Sequence, residues 1–208
     1  MKIKNLAFSI FALVISISNV NGQFAKEYNN RAREKYSKQD YRGAIADCNK
    51  AIELNPSDAD SYYTRGISKR ELGDFRGAIS DFDKTLNLNF SKLGHEFALV
   101  NRAQCKGKLG DNMGAIKDLN ILIEENPYNS TAFYNRGVNK IDLEDYRGAL
   151  SDFNKAIDID NKYADAFAGR GFAKIKLGQK ESGCLDLSKA GELGYESAYD
   201  LIREFCYN

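Results

Sequence analysis

The chain has one histidine, His95, in 208 residues. A metal site would therefore rest almost wholly on carboxylates, and the sequence gathers none into a ligand cluster. A Ser or Cys nucleophile has no second histidine to draw on. The four cysteines, Cys48, Cys105, Cys184 and Cys206, lack the close C-x-x-C pairing of zinc and redox sites. Prolines are also scarce: only Pro56 and Pro127 interrupt the chain, which leaves room for long helices. Charge of one sign is missing too. The formal net charge is +1 and no Lys/Arg run occurs, so neither nucleic acid nor an anionic membrane surface is an expected partner. What is present is enough apolar residue, 43%, to build a packed core and exclude a disordered chain.

The first residues stand apart from the rest. Lys2 and Lys4 precede an uncharged, mostly apolar stretch from Leu6 to Ile17, and Val20-Asn21-Gly22 ends it on a small residue. This is the three-part pattern of a secretory signal peptide at 1–22, cleaved after Gly22. The apolar run is about twelve residues, short of the roughly 20 that a bilayer-spanning helix needs. No membrane span is expected after cleavage, and a retained anchor is the weaker alternative. No cysteine follows the apolar run, which argues against a bacterial lipoprotein. Cleavage removes Lys2 and Lys4 and takes the formal charge from +1 to −1. The expected location is secreted or periplasmic.

A repeat governs the remainder. Asp40-Tyr41-Arg42-Gly43-Ala44-Ile45 returns as Asp74 to Ile79 after 34 residues, as Asp111 to Ile116 after 37, and as Asp145 to Leu150 after 34. Gln179 to Cys184 holds the same place 34 further on, with weaker identity, and Pro56 and Pro127 fall at one point of the period. A fixed period of this length is the signature of stacked helical units.

These residues resemble the tetratricopeptide repeat family, over essentially all of the chain after the leader. The small and aromatic residues of that family's pattern read Ala32, Tyr41, Ala44, Ala51 and Pro56 in the first unit, and Gly66, Phe75, Ala78 and Thr85 in the second. The fourth unit has Gly137, Tyr146, Ala149 and Ala156. The third keeps Ala103, Ala115 and Pro127 but departs at Asn112 and Leu122, and the fifth keeps Gly171 and Ala190 but carries Lys180 and Gly183. The resemblance implies an all-α fold, an α-solenoid of five helix-turn-helix repeats at about 25–58, 59–92, 96–129, 130–163 and 164–194. A C-terminal capping helix at about 195–206 follows.

Elementary packing agrees. Small residues recur where helices must approach closely, Tyr41, Phe75 and Tyr146 are large plugs after each turn, and each proline disfavours helix in the residue before it. Ala198, Leu201, Ile202 and Phe205 form one stripe that covers the last unit, with Glu196, Asp200, Arg203 and Glu204 facing water. Asn89 to His95 reads either as an extended inter-repeat loop or as a change of twist that widens the groove there. His95 reads as a surface residue.

Arg31, Arg65, Arg102, Arg136 and Arg170 recur at one position, and Asp47, Asp81, Asp118, Asp152 and Asp186 at another. A basic row alone suggests anion binding. A matched acidic row suggests an Arg–Asp ladder, costly to break singly where it is buried. Acids that repeat with the fold do not converge as a glycosidase pair must. No catalytic residue, cofactor or metal is assigned, and the protein is not expected to be an enzyme. Cys48 and Cys105 read as small buried hydrophobes. Cys184 and Cys206 sit on consecutive antiparallel helices, where a disulfide would pin the cap in an oxidising compartment, although their positions are off mirror symmetry by about a turn. Asn89-Phe90-Ser91 and Asn129-Ser130-Thr131 are glycosylation sequons, meaningful only in a eukaryotic host.

In the resembled family, first helices line a concave face. Carried over, that face comprises Tyr63, Ile67 and Arg70, then Phe97 and Val100, then Tyr134, Val138 and Ile141, then Phe172 and Ile175. Asn29, Arg33 and Tyr36 form a polar entrance. The resemblance implies a non-enzymatic scaffold or adaptor that binds a peptide or protein segment, and the shape of the leader sets the expectation of a bacterial envelope. The alternative is an envelope glycan-binding component in which Tyr63, Tyr134 and Phe172 stack on sugars. The cap itself is a further candidate to fill the groove.

Overall fold

The computed structural model describes residues 2–88 and 90–207, with side chains described from Val20 onward. Of the expected leader, only Val20, Asn21 and Gly22 have described side chains. All regular structure among the described residues is helical: α1 (Lys2–Ser37), α2 (Tyr41–Leu54), α3 (Ala59–Glu71), α4 (Phe75–Asn87), α5 (Lys92–Lys108), α6 (Asn112–Glu125), α7 (Ser130–Asp142), α8 (Tyr146–Ile159), α9 (Ala164–Lys176), α10 (Lys180–Glu192) and α11 (Ala198–Phe205). None of these helices, as described, is long and apolar enough to cross a membrane. Two compact halves are distinguished, 1–98 and 99–208, with the boundary inside α5. In the first half α1 packs on α2, α2 on α3 and α3 on α4. In the second, each helix from α7 to α11 packs on the one before it.

The D-x-x-G motif that marks the period is a helix start. Asp40, Asp74, Asp111 and Asp145 each accept a hydrogen bond from the amide of Gly43, Gly77, Gly114 or Gly148, all at 2.9 Å. This satisfies one of the amides that a helix N-terminus leaves unpaired. The glycine is required by proximity: a Cβ on Gly77 would lie 2.1 Å from a carboxylate oxygen of Asp74. Gln179 makes no such side-chain cap on α10, which is why the motif fades there. At the other ends, Asn55 and Asn126 leave helical geometry just before Pro56 and Pro127, and so α2 and α6 stop.

The core is a column of matched sizes. Cys48, Phe82, Leu119, Phe153 and Leu187 are fully buried at one position of successive second helices. Facing them within each repeat are Ala32, Gly66, Ala103, Gly137 and Gly171. Glycine lies opposite each phenylalanine, since a Cβ on Gly66 would sit 2.8 Å from the Phe82 ring and one on Gly137 2.7 Å from Phe153. The aromatic plugs are therefore Phe82 and Phe153. Tyr41, Phe75 and Tyr146, expected in that role, are first residues of their helices and only half-buried.

The region expected as a loop at 89–95 is mostly helix, because α5 begins at Lys92. With 17 residues it is longer than α3, α7 and α9 at 13 each, so the extra residues extend the helix. Phe90 lies against Tyr63, ring centroids 5.6 Å apart, and meets Gly94 so closely that a Cβ there would clash at 2.3 Å. His95 is half-buried on α5, not a free surface residue. At the C-terminus, α7, α9 and α11 start at Ser130, Ala164 and Ala198, steps of 34. The cap is thus the first helix of a sixth repeat cut short after eight residues.

Candidate functional site

The charged ladder is a structural element. Each arginine, from Arg31 to Arg170, donates two hydrogen bonds through Nε and Nη2 to the aspartate sixteen residues on, at 2.5–3.0 Å. Such two-pronged pairs are the strong form of the interaction. A lysine one turn after each arginine completes the cluster: Lys35, Lys69, Lys106, Lys140 and Lys174 lie 2.7–2.8 Å from the same carboxylates. Each buried carboxylate thus faces two cations, an arrangement that leaves no free basic row for an anionic ligand.

The arginines also tie repeats together. Arg65 donates to Asn49 at 2.7 Å, Arg136 to Asn120 at 2.7 Å and Arg170 to Asn154 at 3.0 Å. Their guanidinium planes lie over Tyr62, Phe133 and Phe167, and that of Arg31 over Tyr28, at 4.8–5.4 Å. The sequence reading missed the lysines, asparagines and aromatics, although all keep the same period as the arginines.

The expected apolar strips behave differently in the two halves. In the first, Tyr63 is packed between Phe82 and Phe90, at 6.0 and 5.6 Å, and Ile67 is half-buried. Arg70 is paired with its neighbour Glu71 at 2.5 Å. On α5, Phe97 is 49% exposed and Val100 is half-buried. At the polar entrance Thr64 donates to the buried Asn29 at 3.2 Å and Arg33 lies 3.6 Å from Asp60, beside a polar cleft of about 260 Å³ lined by Asn29, Arg33, Asp58 and Asp60.

In the second half α7 and α9 bring Tyr134, Val138, Ile141, Ala168 and Phe172 to one cleft of about 170 Å³, with Tyr195 and Leu201 as its far wall. Val138 is the exposed member, at 36%. Tyr134 is held by Phe153 at 6.0 Å and Tyr163 at 5.0 Å. Burial pushes its hydroxyl well above the ordinary tyrosine pKa, and that of Tyr163 up to about 12, so both stay neutral donors at physiological pH. Phe172 lines the cleft but is only partly open: Phe205 of α11 meets it edge-on at 5.8 Å, and Lys176 lies over both rings. Ile175 packs in the same cluster as Leu201, Ile202 and Cys206. The chain's own cap therefore covers the end of the expected strip.

Cys184 and Cys206 are bonded, with Cα atoms 6.0 Å apart, and join α10 to the end of α11. Cys48 and Cys105 are buried, and burial pushes the Cys48 thiol up to about 12. The described residues hold no group of three or more His, Cys, Asp or Glu arranged for a metal ion.

Helical hairpins repeating at a period of 34, with an apolar cleft along first helices, are the arrangement of tetratricopeptide repeats. Models of that repeat match residues 25–58, 48–80 and 130–163, so the chain carries tetratricopeptide repeats. Among solved structures, MamA from Desulfovibrio magneticus RS-1 is similar at a TM-score of 0.74 and 22% identity, covering 84% of this chain and 97% of MamA. YrrB, described as a TPR protein with an unusual peptide-binding site, is similar at 0.68 and 24% identity, covering 85% and 90%. The pilF protein of Pseudomonas aeruginosa gives 0.72 at 15% identity, covering 84% and 78%. At these identities the likeness establishes the fold. No curated protein matches the sequence.

Proposed function

We propose that this protein is a non-enzymatic protein–protein interaction scaffold, exported to the bacterial cell envelope, that holds a peptide or protein segment along α7 and α9. The observation that carries the reading is the cleft lined by Tyr134, Val138, Ile141 and Phe172, apolar, open at Val138 and built on rigid helices. Exposed apolar surface on such elements marks a partner site. YrrB, a protein of the same fold, is described as binding peptide, which supports this use of the architecture. Export is supported by the leader pattern at 1–22 and by the Cys184–Cys206 bond, which suits an oxidising compartment. The glycan reading is less well supported. Tyr63, Tyr134 and Phe172, whose faces it needs, are engaged with Phe82 and Phe90, Phe153 and Tyr163, and Phe205.

The test is a photo-crosslinking amino acid at Val138, with the exposed Lys155 on α8 as control, in the native host. Capture of one protein species at Val138 and not at Lys155, in the envelope fraction, is the expected result. Retention on insoluble glycan with no protein adduct would favour the alternative, and no adduct at either site would remove the partner surface.

A further inference from the structure

Helix α11 has two roles, and they conflict. As the truncated first helix of a sixth repeat it caps α10, burying Ala198 and half-burying Leu201, Ile202 and Phe205. At the same time Phe205 covers Phe172, Ile175 is packed against its cluster, and Leu201 forms a wall of the α7–α9 cleft. A partner that uses the full strip must displace it.

Its attachment is weak apart from one bond. Ala198 is its only fully buried residue, and Ser197 provides no side-chain cap to its N-terminus. At eight residues it falls short of the roughly 12–15 at which an isolated helix persists in water. The Cys184–Cys206 disulfide fixes its far end. Both of those cysteines are part-exposed, whereas Cys48 and Cys105 are buried. The bonded pair is therefore open to a reductant that reaches the folded chain.

We propose that α11 is a redox-tethered lid, closed over Phe172 and Ile175 while Cys184 and Cys206 are bonded and released when a dithiol reduces them. The inference rests on the reading of the α7–α9 strip as a partner surface. A thiolate of the reductant, a protein or small-molecule dithiol, attacks one sulfur and forms a mixed disulfide. The other cysteine leaves as thiolate and takes up a proton. The reductant's second thiol then attacks its own bound sulfur, so two electrons pass to Cys184 and Cys206 and the reductant departs as a disulfide. The freed helix frays, and the strip lengthens from Tyr134, Val138, Ile141 and the open part of Phe172 to the whole of that ring and Ile175. The partner suited to it is an amphipathic helix with apolar residues at the i, i+4 spacing of Leu201 and Phe205, the pattern that this surface already holds.

The experiment compares the full chain oxidised, reduced with dithiothreitol, and as Cys184→Ser/Cys206→Ser, with circular dichroism confirming that each stays folded. Amide exchange across 198–206 is followed by mass spectrometry. Solvent access at residue 172 is read from 4-fluorophenylalanine broadened by a soluble gadolinium chelate. Reduction and the double variant should each speed exchange of 198–206 by about tenfold, the signature of local opening, with 130–165 unchanged. Broadening at residue 172 should rise with it. Unchanged protection of 198–206 after reduction, or a residue 172 that stays shielded, overturns the lid. Capture at Val138 is read separately: its absence in both redox states refutes the partner surface, whatever α11 does.

Discussion

Asp152 is among the most buried carboxylates of the ladder. Its carboxylate is 3% exposed and faces Arg136 and Lys140, whose side chains are 19% and 20% exposed. Replacing Asp152 by alanine removes two bonds from Arg136, at 3.0 and 2.7 Å, and the ion pair with Lys140 at 2.7 Å. Two part-buried cations then lose their carboxylate, Arg136 keeping the Phe133 ring and Lys140 the Gly148 carbonyl at 3.5 Å. Removing one partner of a buried pair costs about 3–5 kcal/mol. Here the cations keep about a fifth of their surface in water and Arg136 keeps Asn120, which brings the figure to about 3 kcal/mol. Against a typical total of about 5–15 kcal/mol, that is a loss readily seen in urea unfolding of the full chain. The equivalent change at Asp47 is the internal control: Arg31 there is 53% exposed and Lys35 34%, so water replaces the lost carboxylate and the cost falls well below that at Asp152. The triple change Arg136→Met, Lys140→Met, Asp152→Leu should recover most of the loss by removing the stranded charges along with their partner. Equal losses at Asp47 and Asp152 would falsify the account, as would a triple variant no more stable than Asp152→Ala.

Three further tests bear on other elements. Glu144 has a positive φ of 58° at a place where Gly73, Gly110 and Gly178 stand in other repeats, so Glu144→Gly should raise stability by about 0.5–1 kcal/mol in chemical denaturation. Gly137→Ala forces a methyl against the Phe153 ring and should cost about 1–3 kcal/mol, with Phe153→Leu in the same chain recovering part of it. The hydrogen bond from Arg31 holds the Asp47 carboxyl below its ordinary range. Its contribution is therefore present above the unfolded value of about 3.9 and is lost as pH falls through the folded one. The stability gap between the parent and Asp47→Asn should be constant from neutral pH down to the ordinary carboxylate range and close below it; a gap that widens on acidification reverses the sign.

The repeat carried most of the fold because the period fixes which residues share a helix face, and stacking then follows from nearest neighbours alone. The Arg–Asp ladder was legible for the same reason, as two rows at one spacing. Phe82 and Phe153 were passed over in favour of Tyr41, Phe75 and Tyr146, although a glycine matched to each phenylalanine was already written at Gly66 and Gly137. Size complementarity between two columns shows only when they are compared as a pair. The stretch before His95 was misread because a few residues added to a helix and the same number added to a loop give one change of spacing.

What the sequence determined by itself was therefore periodic: helix count, helix ends at Asp40, Asp74, Asp111 and Asp145, the buried small residues, and the charged rows. Tertiary structure alone decided what is singular. It placed Phe90 against Tyr63, closed the Arg33–Asp60 pair, and laid Phe205 over Phe172. These contacts are made by residues outside the repeat's pattern, so no column of equivalents predicts them. The position of Phe205 follows from where the chain turns after α10, and that turn decides how much of the apolar strip stays open.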